Sequence, residues 1–208
     1  MINFKQIKNN RTRIWNRKIK YIVIHDTGNT RKGANAEMHF SYFNNAYRGA
    51  SADFFVDDSQ VLQTNDYTKY RSWHCGDGKG RYGITNDNSI GIEICINSDN
   101  NIDLTLRKII DLTADLMYNL NLDILKVVRH YDASRKNCPN IFSKNNWKLW
   151  NEFKVEVGKK YNEIKIDKDL EILRQAGIIN SPKYWKRKSQ EVDFFDIFIS
   201  NVANYIKK

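Results

Sequence analysis

Two short apolar runs, Tyr21-Ile22-Val23-Ile24 and Lys126-Val127-Val128-Arg129, each stop at a histidine followed by turn-forming polar residues, His25-Asp26-Thr27 and His130-Tyr131-Asp132. β-Branched runs bounded in this way read as strands, and the lack of polar alternation in the first points to burial on both faces. If both lie side by side in one sheet, the two imidazoles emerge at the same edge, with Cys138 one loop away. Two His and one Cys make a three-ligand zinc set with a fourth, reactive position left over, which suggests hydrolytic chemistry.

The rest of the chain supplies elements for such a sheet. Residues 1–20 read as a basic, irregular lead-in. Ala36, Phe40 and Phe43 recur at helical spacing, which predicts a helix over Ala34–Phe43. Asp53–Val56 and Val61–Gln63 flank Asp57-Asp58-Ser59-Gln60 and read as a hairpin. Lys69–Asn88 is Gly-rich and polar and reads as one long loop, a length that in compact domains often marks function. Ser89–Ile96 reads as a second buried strand, Asp103–Asn119 as an amphipathic helix, Ile124–Val128 as a strand and His130–Cys138 as a loop. Asn145–Val157 carries an apolar helical stripe. Strands separated by helices predict an α/β fold with a mixed central sheet flanked by helices over 1–158. Sites in such sheets form beyond the strand ends.

Beyond that, Gly158–Lys168 is charged and poor in apolar residues and reads as a linker. Asp169–Ala176, a helix starting at Ser181-Pro182, and Glu191–Ile206 then form a small helical module. At roughly 45 residues it is marginal alone and needs something to pack on: the main domain, a partner or a second copy, so that a dimer through this module is one expectation.

Composition narrows the function classes. Hydrophobic content of 41% with 12% aromatics can fill a core, which argues against wholesale disorder. No apolar run approaches the ~20 residues of a membrane span, and Met1–Ile7 is too polar and short for a signal-peptide core, so synthesis in the cytoplasm without membrane insertion is expected. Three cysteines in a domain this large argue against a disulfide framework, and Cys95, inside an apolar strand, reads as a buried thiol. A net charge of +10 attracts polyanions. Nucleic acid is the weakest of these, because no nucleic-acid fold signature or base-stacking motif accompanies the charge.

Several residues carry candidate chemistry. Cys138 has three readings: a metal ligand, an inert thiol, or a nucleophile with His130 as base and Asp132 as orienter. Lys136, two residues before it, is either a solvated loop lysine or a cation aimed at a developing oxyanion. Glu93 interrupts the apolar strand Ile90-Gly91-Ile92-Glu93-Ile94. A buried carboxylate is costly unless paired or functional, so Glu93 is either an ion-pair partner or a general base. Trp73 and His74, in the long loop, are candidates for a substrate-binding wall, with loop packing as the alternative.

These residues together carry a resemblance. Ile22-Val23-Ile24-His25-Asp26-Thr27, Trp73-His74-Cys75-Gly76, Asn88-Ser89-Ile90-Gly91-Ile92-Glu93 and Arg129-His130-Tyr131-Asp132…Lys136-Asn137-Cys138-Pro139 occur in the order seen in zinc N-acetylmuramoyl-L-alanine amidases. Over about residues 1–158 the chain resembles the amidase-2 family, akin to peptidoglycan recognition proteins, and especially phage endolysins and autolysins of Gram-positive bacteria. The resemblance implies that His25, His130 and Cys138 bind Zn2+, that Glu93 is the catalytic carboxylate and that Lys136 stabilises the transition state. It implies cleavage of the amide between the lactyl group of N-acetylmuramic acid and the L-alanine of the stem peptide, in the peptidoglycan of the Gram-positive wall. A phage lysin made without a signal peptide and released to the wall by other machinery fits this. So does a prophage-encoded or autolytic enzyme, and a non-catalytic peptidoglycan-binding relative is the alternative.

The chain departs from that pattern in two places. Ala50-Ser51-Ala52-Asp53-Phe54-Phe55 holds no Tyr where some relatives carry a catalytic one, so Glu93 is left to act alone, and Asp53 stands where many show His. The C-terminal module of 159–208, with Ala176-Gly177-Ile178-Ile179-Asn180-Ser181-Pro182-Lys183-Tyr184-Trp185, resembles more weakly the small helical modules at the ends of clostridial-type lysins and wall hydrolases. Wall binding through Tyr184, Trp185 and basic charge is expected there, with packing of those rings in the module's own core as the alternative.

Overall fold

A computed structural model of the chain describes residues 1–207. Six strands form the central sheet: β1 (Ile2–Phe4), β3 (Tyr21–Asp26), β4 (Phe54–Val56), β5 (Val61–Gln63), β7 (Ser89–Ile94) and β8 (Val127–Arg129), in the order β1-β5-β4-β7-β3-β8. β4 and β5 are the antiparallel hairpin, and the other neighbours are parallel. β2 (Arg11–Arg13) and β6 (Tyr70–Ser72) pair separately as an antiparallel ribbon. Helices α1 (Ala36–Asn45), α2 (Ile102–Leu120) and α3 (His130–Ser134) lie between or directly after these strands in the chain. It is the mixed α/β architecture expected.

The central strands are buried because both faces are apolar or covered. Ile22, Ile24, Ile90, Ile92 and Phe54 alternate onto one face and are fully buried. α2 contacts β4, β5 and β7, and buries Ile109, Leu112, Leu116 and Met117 along one stripe. Asparagine caps set the start of both longer helices, with Asn35 accepting from the Met38 amide and Asn101 from Leu104. α1 closes a cluster of Ala36, Ala52, Phe55, Leu62 and Cys95, against which Phe40 and Phe43 pack.

Several expectations are corrected. Residues 1–20 are not merely a lead-in, since β1 adds a parallel edge to β5 and β2 pairs with β6. Such three-residue strands are too short to show periodicity. For the same reason the 69–88 segment conceals β6, and it also holds a 3₁₀ turn at Gly76–Gly78. The Gly158–Lys168 segment is helical, within α4 (Lys144–Gln175). Within that segment Ile166 is the buried residue, and its helical-spacing partners Leu170 and Leu173 fall beyond it, so the segment itself reads as a charged linker. One Glu191–Ile206 helix is instead the end of α5 (Pro182–Glu191) and a separate α6 (Phe195–Ile206), broken at Phe194, whose φ is 62°.

The chain divides into two compact units, Met1–Val157 and the residues from Gly158 on. The second has its own core of Ile166, Leu170, Leu173, Ile199 and Ala203, with Trp185 and Phe195 packed against it. There Asp169 is buried and accepts from the Ser200 hydroxyl at 2.7 Å, with Lys165 at 3.3 Å.

One arginine holds the polar loops of the first unit. The half-buried guanidinium of Arg17 donates to the carbonyls of Tyr67 (2.8 Å), Tyr70 (2.9 Å), Asn86 (2.8 Å), Asp87 (3.1 Å) and Ser89. A planar five-donor fork suits this, and an ammonium with three donors does not. Arg17→Lys should therefore fail to restore what Arg17→Ala loses. Thermal unfolding should show both variants destabilised, the Ala variant by about 3 kcal/mol, or ~6–12 °C in Tm.

Candidate metal centre

Strand register builds the centre. β3 and β7 set His25 opposite Glu93, and β7 and β4 set Phe55 opposite Glu93, so the three side chains form one row on one face of the sheet. β8 lies on the other side of β3, with Arg129 opposite Ile24, which delivers His130 next to His25 at the start of α3. The loop after α3 folds back, and the Cys138 carbonyl accepts from the Tyr131 amide at 3.0 Å. The two strand-end histidines and the cysteine thereby converge. His25 Nδ1 lies 3.1 Å from His130 Nδ1 and 3.8 Å from Cys138 Sγ, and the three donor atoms all fall within 4.8 Å of one another.

Burial keeps the donor side chains in their neutral forms. Burial, then the neighbouring imidazoles His74 and His130, holds His25 well below the usual histidine range, and burial lowers His130 as well. Both therefore present lone pairs near neutral pH. Burial, then Glu93, pushes the Cys138 thiol up to about 12. A thiol held there is not a nucleophile, since reactivity belongs to the thiolate. Two neutral imidazoles and a thiol that only a cation would ionise are a fitting donor set for a borderline-soft divalent ion, with separations typical of tetrahedral ligation.

Glu93 is pushed up to about 8 by burial, with Asp26 adding to the rise and Lys136 opposing it. Its Oε2 is buried without a hydrogen-bond partner, so the ion-pair reading does not hold. The carboxyl lines a cavity of about 430 Å³ together with Thr27, Arg31, His39, Tyr42 and Phe55. Lys136 is exposed, but its charge bears on His25, His130, Cys138 and Glu93 alike.

Two expected wall residues lie elsewhere. His74 is buried behind His25, its Nδ1 3.0 Å from His25 Nε2, and burial pushes it down to about 3. Trp73 donates through its indole to the Thr12 hydroxyl at 2.9 Å and meets Tyr47 edge-on. Neither lines the cavity. Asp53, the other departure, is a buried structural hub that accepts from Asn65, Ser72 and the Gly91 amide at 2.7–2.9 Å.

Sequence reading missed Asp77, 2.8 Å from His130 Nε2, and Ser89, 3.2 Å from His74 Nε2. It also missed His39, stacked on Phe55 at 5.2 Å in the cavity wall. The available signal was glycine. Gly91 interrupts β7 where a Cβ would come within 2.6 Å of the His74 ring.

Residues 15–141, more than half of the chain, match the family described as N-acetylmuramoyl-L-alanine amidase. The chain belongs to this family. It is similar to the N-acetylmuramoyl-L-alanine amidase CwlH of Bacillus subtilis, with 40% identity over 119 residues, covering 57% of this chain and 46% of that protein. It is also similar to XlyA of the same species, with 36% identity over 138 residues, covering 66% and 44%. The solved catalytic domain of XlyA superposes with a TM-score of 0.67 at 33% identity, covering 76% of this chain and 99% of that domain. The structure of PlyL gives 0.66 at 27%, covering 77% and 98%. The chain thus spans less than half the length of the curated relatives it matches and nearly all of the solved catalytic domain.

The Glu93 environment has a consequence for stability. Its folded value of about 8 exceeds the ~4.3 of an unfolded glutamate, so its contribution is fully present below about pH 4 and is lost as pH rises through 8. In metal-free protein, Glu93→Gln should raise Tm at pH 9 by ~4–8 °C, about 2 kcal/mol, with the gap closing near pH 4. Unfolding scans at the two pH values check this.

Proposed function

We propose that this chain is a zinc-dependent N-acetylmuramoyl-L-alanine amidase that hydrolyses the peptidoglycan of Gram-positive cell walls, of the phage or prophage endolysin type. The observation that carries the reading is the convergence of His25, His130 and Cys138 next to a Glu93 carboxyl whose buried Oε2 has no hydrogen-bond partner, at the wall of an open cavity. Family membership supports the choice of bond, the amide between N-acetylmuramic acid and L-alanine.

His25 and His130, through Nδ1, and Cys138, through Sγ, would hold the ion. Zinc when bound supplies Lewis acidity toward the amide carbonyl and lowers the pKa of water near it. Glu93 takes the proton of the attacking water and passes it to the departing amine nitrogen. A carboxyl held near 8 by burial suits both halves of that transfer at neutral pH. The Lys136 ammonium lies on the loop between two of the ligands and offsets negative charge growing on the carbonyl oxygen. The products are a free lactyl carboxylate and a stem peptide with a new amino terminus.

Residues 1–158 would carry the catalysis and 159–208 the attachment to the wall. Tyr184 is 46% exposed and stands among Lys183, Lys186 and Arg187, which supports an aromatic and basic binding surface. Trp185 packs into the core of its own unit and is removed from that surface. No helix among the described residues is long and apolar enough to cross a membrane, in keeping with action on the wall rather than in the bilayer.

Purified Gram-positive walls incubated with the protein should release N-terminal L-alanine, detected by amine labelling and mass spectrometry, and a zinc chelator should abolish release. Glycosidic products, or chelator-resistant degradation by metal-free protein, would refute the assignment. Glu93→Gln should keep its zinc while kcat falls by about 10²–10⁴-fold, and Lys136→Ala should lose about 10²-fold.

A further inference from the structure

Both histidines of the centre are backed by the same short loop, Trp73–Gly78. His25 Nε2 faces His74 Nδ1 at 3.0 Å, and His74 Nε2 faces the Ser89 hydroxyl at 3.2 Å. That hydroxyl donates to the Thr85 carbonyl at 2.5 Å. A carbonyl only accepts, so the Ser89 proton is committed and its oxygen must accept from His74 Nε2–H. His74 Nδ1 is then a lone pair, His25 must donate to it through Nε2–H, and His25 Nδ1 is left unprotonated. The other histidine is governed independently. His130 Nε2 lies 2.8 Å from Asp77 Oδ1, and a carboxylate accepts, which leaves His130 Nδ1 unprotonated as well.

The loop is held in place for this task. The His74 and Cys75 amides both donate to Asn86 Oδ1, at 3.1 and 2.8 Å. A Cβ on Gly91 would collide with the His74 ring at 2.6 Å, and one on Gly78 would fall 2.0 Å from the Ala133 carbonyl, within the helix that His130 begins.

We propose that His74 and Asp77 are positioning residues that fix the tautomers of His25 and His130, so that both Nδ1 lone pairs converge with Cys138 Sγ on one ion. This rests on the metal-binding reading above. The two residues do not touch the substrate. They act by removing the alternative in which one Nδ1 carries a proton pointed at the other, 3.1 Å away. Partners of this kind typically contribute 10–100-fold in metal affinity.

Two measurements test it. In metal-free wild-type protein near neutral pH, ring ¹⁵N–¹H correlation spectra should show His25 and His130 as Nε2–H tautomers. An Nδ1–H tautomer at either would overturn the proposal without reference to metal. Zinc affinity by chelator competition should fall about 10–100-fold in His74→Leu and in Asp77→Ala. It should recover in His74→Asn and Asp77→Asn, which restore an acceptor oxygen near the lost one. Wild-type affinity in the Leu and Ala variants, or Asn variants no better than these, would overturn it. Should His74→Leu fail to fold, the Asp77 pair, on an exposed turn, decides alone. Failure of the wild-type protein to bind zinc would instead remove the metal reading itself, and the proposal with it.

Discussion

Parallel pairing of β3 with β7 and β8 is the constraint from which the centre follows. A register slip of one residue in β7 would turn Glu93 to the opposite face of the sheet, away from His25 and the cavity. The same slip would turn Gly91 away from His74. Register is protected because alternate residues of β3 and β7 belong to a fully buried apolar layer. Packing of isoleucines on one face thus sets the geometry of polar chemistry on the other.

The polar face is expensive to maintain, and the structure offsets the cost in different ways. Asp53 is buried but satisfied by three donors, which keeps β4, β6 and β7 in step. The buried imidazoles are neutral and bonded to one another or to Ser89 and Asp77. Glu93 is the carboxyl with a buried oxygen left without a partner, and it lines the open cavity, as do the similarly unpartnered Thr27 Oγ1 and His39 Nε2. Unsatisfied polar atoms gathered at one cavity wall, beside satisfied imidazoles and Asp53, mark the place where the fold leaves polar groups free for a ligand.

Much of this was legible in the sequence where residue pattern and structure share a period. Apolar runs ending in His25 and His130 located the strands, and Glu93 stood out because a charge interrupted one of them. Less legible were contacts that depend on loops folding back. His74 reads as a cleft residue because nothing local reveals that Gly91, seventeen positions later, leaves a hollow for it. Asp77 between two glycines looks like any turn aspartate until α3 lies against it. Strands of three residues, β1, β2 and β6, fall below the length at which alternation can be seen. The helical character of 158–168 was masked by its charges.

His25 and Cys138 are 113 residues apart in the chain, and His25 and His130 are 105 apart. A polypeptide emerging from the ribosome therefore carries the first donor long before the last two, and no partial chain ending before residue 138 holds the complete set. Closing a loop of that span costs entropy that only the finished sheet can offset. The three-donor cluster is thus completed only with the fold, and a chain truncated before Cys138 lacks one of its donors.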